Sequence, residues 1–121
     1  MSHPQTINQN RDFIRLYKRG HSLVSPILVT YCLKNRWGGL RVGITATKKI
    51  GGAVQRNRAK RVIRAACYNL EGGLVPGYDY VFVARGRTPR AKSQEVQKIM
   101  TRHIRELTMF QENKRLEKKK P

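Results

Sequence analysis

Six stretches of the chain carry a periodic pattern of apolar and polar positions, and each predicts an element. Phe13, Ile14 and Tyr17 fall on one face of a helix that begins at Asn8 or Asn10 and ends at Arg19. Asn10 is placed to cap its start, and Gly20 to take the left-handed position beyond its end. Pro26 to Leu33 is rich in β-branched and aromatic residues and reads as a strand. After a turn at Arg36-Trp37-Gly38-Gly39, Leu40 to Thr47 alternates, with Leu40, Val42, Ile44 and Ala46 on one side. Arg41, Gly43, Thr45 and Thr47 lie on the other, which describes a half-buried strand with an open polar face. The two strands are expected to neighbour each other as an antiparallel pair.

From Val54 to Leu70 the apolar residues Ala59, Val62, Ile63, Ala66, Cys67 and Leu70 follow the helical template throughout. Gly72-Gly73 and Pro76-Gly77 make the next connection. Tyr80 to Ala84 is apolar without interruption, as in a strand covered on both faces. A basic loop, Arg85 to Arg90, leads to a last helix from Ser93 to about Phe110. Its stripe is Val96, Ile99, Met100, His103, Leu107 and Phe110. Residues 1–7 and 112–121 read as flexible tails around a single domain ordered over about 8–110. The order helix, strand, strand, helix, strand, helix gives an α+β class, a two-layer sandwich of helices against a small sheet.

Charge changes the picture most. Among 121 residues there are 26 Lys and Arg against 7 Asp and Glu, a net charge of +19. A domain so charged repels itself unless a polyanion neutralises it, so nucleic acid is the expected partner. With 39% apolar residues the chain has material for a core, which argues against a wholly disordered basic protein. No apolar run is long enough to span a bilayer, and Met1 to Asn10 lacks a signal-peptide pattern. Cys32 and Cys67 stand far apart without metal-ligand spacing and within apolar stretches, so they read as buried thiols of a cytoplasmic protein.

The charge concentrates between Lys48 and Arg64. That segment holds seven cations (Lys48, Lys49, Arg56, Arg58, Lys60, Arg61 and Arg64) and no acid. Arg56, Lys60 and Arg64 repeat at i, i+4 and i+8, where like charges destabilise a helix by a few tenths of a kcal/mol per pair. A solvated face normally mixes signs; this one fits a phosphate backbone. Lys48, Lys49 and Gly51-Gly52 also precede the helix N-terminus, where free N–H groups suit a phosphate. Neither GxxxxGK nor GxGxxG is present, so a nucleotide loop is not indicated. Asn57 fits either a cap or solvated role, or a contact to base, 2′-hydroxyl or metal-bound water. Phe13, Tyr17 and Tyr31 are candidates for stacking on single-stranded bases, although spacing alone favours core packing for each.

Catalytic chemistry finds little support. No two acids stand at a spacing that points to a catalytic pair, and His3, His21 and His103 read as terminal, solvated and core residues respectively. No catalytic residue and no metal ligand is assigned to this chain. The residues point to binding, or to an enzyme whose chemistry lies elsewhere.

Taken together, the segments resemble the protein component of bacterial ribonuclease P. The resemblance rests on Arg41 to Arg64, RVGITATKKIGGAVQRNRAKRVIR, which is similar to the family's signature. Phe13-x-x-x-Tyr17-x-x-Gly20 resembles its first helix, and Asp79-Tyr80-Val81 with Ala84-Arg85 its late strand. Thr45 and Thr47 stand where serines are common, which keeps the hydroxyls. Ala65 stands where an acid often follows the last arginine, a departure that bears on one possible salt bridge and not on the RNA face. The resemblance implies a four-stranded sheet with a left-handed β-α-β crossover, contrary to the usual right-handed rule.

It also implies a protein subunit that assists an RNA catalyst in the magnesium-dependent removal of the 5′ leader of precursor tRNA. Lys48, Lys49, Arg56, Asn57, Arg58, Lys60, Arg61 and Arg64 would meet the catalytic RNA. Phe13, Tyr17, Tyr31 and Thr45 would line a cleft for the single-stranded leader. Mg2+ would be bound mainly by RNA and substrate phosphates. The implied partners are the catalytic RNA and precursor tRNA, with no membrane and no obligate protein partner. Three other readings stay open: a structural or ribosomal RNA-binding protein, a stand-alone nuclease, and a DNA architectural protein.

Overall fold

The computed structural model describes residues 4–70 and 73–119. In chain order its elements are β1 (Gln5–Thr6), α1 (Asn10–Arg19), β2 (His21–Val24), β3 (Leu28–Lys34), β4 (Leu40–Thr45), α2 (Ala53–Tyr68), β5 (Tyr78–Ala84) and α3 (Ser93–Lys119). Short 3-10 turns at Lys48–Ile50 and Thr88–Arg90 lead into α2 and α3. His3, Glu71, Gly72, Lys120 and Pro121 lie outside the described residues.

The α+β class is as expected, with five strands in the order β1-β4-β5-β3-β2 rather than about four. β3 and β4 are not partners, which corrects the expected antiparallel pairing. β5 lies between them, antiparallel to β3 and parallel to β4. The physical reason is β5's composition. A strand apolar on both faces belongs at the sheet's centre, and every residue of β5 except Val83 is buried. β4 and β5 are thus parallel neighbours joined through α2, a β-α-β unit.

One sheet face carries the main core. There Val42, Tyr80 and Phe82 pack with Ala59, Ile63 and Ala66 of α2 and with Val96, Met100, Ile104 and Leu107 of α3. His103 sits in this layer, 1% exposed, with its Nδ1 2.9 Å from Thr30 Oγ1. Burial and the nearby Arg102 charge hold its pKa below the usual value, against a weaker opposing effect of Glu106. α1 packs on the opposite face, where Leu16 meets Ile7 and Val81.

Several terminal expectations change. The N-cap of α1 is Gln9, and Asn10 is already helical. Gly20 is extended, not left-handed. A Cβ there would lie 2.5 Å from the Leu16 carbonyl oxygen, so close approach accounts for the glycine. Residues 4–7 are not a tail: β1 pairs with β4, and the buried Ile7 donates its N–H to the Val42 carbonyl at 2.9 Å. α3 also runs past Phe110 to Lys119. Gln111 Nε2 donates to the Cys32 carbonyl at 3.2 Å, and Lys34 N–H donates to Gln111 Oε1 at 3.0 Å. Tyr78 Oη donates to Glu112 Oε1 at 2.7 Å. Phe110 leaves the predicted core stripe and is half exposed, its ring edge-on to His21 at 5.0 Å. Ile104 takes the buried place on that stripe.

Candidate nucleic-acid interface

The apolar stripe of α2 fixes which of its residues face outward. With Ala59, Ile63 and Ala66 pressed into the core, Asn57, Arg58, Arg61 and Arg64 are exposed, and Arg56 and Lys60 are half-buried. Lys48 and Lys49, in the 3-10 turn before the helix, are exposed. Among the described residues, none of these seven cations forms an ion pair with an acid. The first turn of α2 is equally uncompensated. Its N-cap is Gly52, which has no side chain to offer, and no acid stands in the turn. Gly51 adopts φ 138°, a conformation open to glycine, and its carbonyl accepts from Arg56 Nη1 at 3.3 Å. Arg58 and Arg61, with Val62 and Ala65, line an open depression against Ser93 at the start of α3.

The aromatic candidates meet on the other sheet face. Phe13 and Tyr17 are one helical turn apart on α1, with ring centroids at 6.4 Å. Tyr17 lies edge-on to Tyr31 of β3 at 4.9 Å. Phe13 reaches across to β4, where the floor beneath its ring is Gly43. Thr45 is on the same face of β4, two residues beyond Gly43. Its Oγ1 is buried and has no hydrogen-bond partner among the described residues. Tyr17 keeps 41% of its surface exposed, and Phe13 and Tyr31 are half-buried. The four residues therefore lie together on the side of the sheet that α1 packs against. The face is less open than alternation predicts, because α1 covers Gly43.

Sequence reasoning missed what holds α1 against this face. Asp79, buried in β5, accepts from Arg15 of α1 at 2.7 Å and from Arg41 of β4 at 2.6 and 3.2 Å. The hydrogen bond to Asp79 raises the Arg41 pKa further, against burial. Parallel pairing places Arg41 opposite Asp79, a register that no single strand's pattern discloses.

Among the described residues, no group of three or more His, Cys, Asp or Glu side chains could hold a metal ion. The two aspartates, Asp12 and Asp79, both face guanidinium groups. Among the described residues, no helix is long and apolar enough to cross a membrane.

Comparison with known proteins identifies relatives in sequence and in fold. The family model for ribonuclease P matches residues 1–108. The ribonuclease P protein component of Clostridioides difficile (strain 630) is 40% identical over 93 residues, covering 76% of this chain and 82% of that protein. That of Shouchella clausii is 41% identical over 97 residues, covering 79% and 80%. Among solved structures, the RNase P protein of Staphylococcus aureus superposes with a TM-score of 0.71 at 30% identity, covering 85% of this chain and 94% of that one. The RNase P protein of Thermotoga maritima superposes at 0.69 with 27% identity, covering 81% and 96%. With its sequence signature on a cationic helix and its fold shared along nearly the whole domain, the chain belongs to the ribonuclease P protein family.

Proposed function

We propose that this protein binds the catalytic RNA of ribonuclease P through α2 and the 5′ leader of precursor tRNA through the α1–sheet cleft. The observation that carries the reading is the uncompensated cationic surface of residues 48–64. Catalytic RNA and substrate are both polyanions and repel each other. Arg56, Arg58, Lys60, Arg61 and Arg64, with Lys48 and Lys49, lower that repulsion by pairing with phosphates. The free N–H groups of the first α2 turn add donors where the helix dipole is positive. Asn57, exposed between Arg56 and Arg58, donates and accepts at the same surface.

On the opposite face, Phe13, Tyr17 and Tyr31 offer ring surface to unpaired bases, and Thr45 lies on the same face of β4. Mature tRNA has lost the leader, so contact with it separates substrate from product. Magnesium in this reading is held by RNA and substrate phosphates. The chain contributes binding and orientation rather than a reacting group. Cys32 and Cys67 are free thiols, in accord with a cytoplasmic setting.

The test is cleavage of precursor tRNA at low magnesium with catalytic RNA alone, protein alone and both together. Cleavage at the 5′ junction by the mixture alone is the expected result. Cleavage by protein alone would mean a nuclease site in this chain. No gain over RNA alone would favour a purely structural RNA-binding role.

A further inference from the structure

The chain has two aspartates, Asp12 and Asp79, and the fold brings both to one joint. Asp79 is 1% exposed at its side chain. Its Oδ2 accepts from Arg15 Nη2 at 2.7 Å and from Arg41 Nη2 at 2.6 Å. Its Oδ1 accepts from Arg41 Nε at 3.2 Å and from Asn35 Nδ2 at 3.0 Å. Asp12, one turn before Arg15 on α1, lies 3.5 Å from Arg41 Nη1. Two guanidinium groups thus meet two carboxylates, and the joint is neutral within a protein of net charge +19. Arg15 and Asp12 belong to α1, whereas Arg41 and Asp79 belong to the sheet. The joint therefore ties the helix that bears Phe13 and Tyr17 to the sheet that bears Gly43 and Tyr31.

Its arrangement is asymmetric. On the sheet side Asp79 has three hydrogen bonds. On the helix side, among the described residues, it has one, from Arg15 Nη2, while Arg15 Nε is buried without a partner. Leu16 provides apolar adhesion to Ile7 and Val81, but apolar contact is non-directional. The ion pairs supply direction and so fix the height of α1 above the sheet.

We propose that Asp79 is a positioning residue for substrate discrimination: through Arg15 it holds α1 at the height at which Phe13, Tyr17 and Tyr31 form a preassembled leader cleft. This rests on the leader-cleft reading above. A cleft already assembled does not spend binding energy on closing, and its apparent affinity falls in proportion to the assembled fraction once the tie is cut.

The test compares Asp79→Asn and Arg15→Met with Phe13→Ala, each reconstituted with catalytic RNA. Affinities are measured for precursor tRNA and for mature tRNA across a salt series. Both tie variants are expected to cut the precursor-over-mature preference about tenfold, as when the assembled fraction drops to a tenth. Binding to the catalytic RNA and the salt slope should stay unchanged. The nuclear Overhauser contact between the Tyr17 and Tyr31 rings should weaken in the free variants.

A charge argument separates this role from a direct phosphate contact by Arg15. Asp79→Asn frees the Arg15 charge and would then strengthen leader binding, whereas Arg15→Met would weaken it and lower the salt slope by about one. That opposed pair of results overturns the proposal. So does retained preference in both tie variants when Phe13→Ala loses it. If Phe13→Ala itself keeps the preference, the cleft reading falls, and the proposal with it. Should Asp79→Asn fail to fold, Arg15→Met decides, because Asp79 then keeps Arg41 and Asn35.

Discussion

Gly43→Ala is the smallest change that probes the cleft. A Cβ at residue 43 would stand 2.7 Å from Phe13 Cε1, 3.0 Å from Phe13 Cζ and 3.2 Å from Ile7 Cβ. Carbon atoms sit best at about 3.5–4.0 Å, so the Phe13 ring must withdraw by roughly 1 Å. Ile7, 3% exposed and tied by its backbone to Val42, has little room to yield. Phe13 is half-buried and can swing toward solvent. Overpacking costs about 1–3 kcal/mol in a closed core. An open side places this site near the lower end, and about 1 kcal/mol lowers Tm by roughly 3–6 °C in a domain this size.

The functional effect should be the larger one. A base stacked on an aromatic ring contributes about 1–3 kcal/mol, so displacing the ring should cost roughly fivefold to a hundredfold in precursor-over-mature preference. Binding to the catalytic RNA, which we propose is made on the other side of the sheet, should not change. The assays are a thermal melt and paired affinities for the two tRNA forms. Reduced stability with unchanged preference would show that Phe13 is packing and not a leader wall. A destabilisation well above about 3 kcal/mol would show that the ring is locked in the core, and would refute the reasoning from its exposure.

Three further outcomes are expected. Replacing Arg56, Arg61 and Arg64 together by Ala should weaken catalytic-RNA binding and lower its log–log salt slope by about one for each phosphate no longer neutralised, read from affinities at about 50 to 200 mM salt. Burial pushes the Cys32 and Cys67 thiols up to about 12 and about 11, so iodoacetamide at about pH 8 should label the native protein far more slowly than the urea-unfolded chain; equal rates would contradict the burial. His103 binds its proton less readily folded than unfolded, so the unfolded state takes up the proton first as pH falls below about 6.5. Urea melts should show a stability contribution complete above that pH and lost toward the lowered folded pKa, a loss absent from His103→Met.

How much of this could be read from the chain follows from the range of each signal. α2 was legible because its core residues recur without a gap, and β5 because a run apolar on both faces has one place in an open sheet. β1 was not, since a two-residue strand has no period; it exists because Ile7 finds a buried site beside Val42. β2 was missed because its four residues alternate only between half-buried and exposed, with none fully buried. The end of α3 was missed because the main core stripe finishes near Leu107. Hydrogen bonds that join Gln111 and Glu112 to the end of β3 and the start of β5 carry the helix onward. Such bonds link residues 34 and 78 to residue 112 and leave no local pattern.

The two proposed binding surfaces differ in the same way. Cations on α2 are a local fact: their spacing alone puts them on one side of a helix, and among the described residues no acid pairs with them. The cleft is a tertiary fact. Phe13 and Tyr17 become a wall only when Tyr31 arrives from another element and Gly43 leaves space beneath the ring. A surface that reads phosphates needs charge and little geometry, because phosphates repeat along any strand. A cleft that tells a leader from its absence needs fixed distances. The chain's acids are distributed accordingly: none lies among residues 48–64, while both aspartates hold the helix that forms one side of the cleft. A carboxylate on α2 would weaken the proposed RNA binding, whereas one at the α1 joint offsets repulsion between Arg15 and Arg41 and would give the proposed cleft its shape.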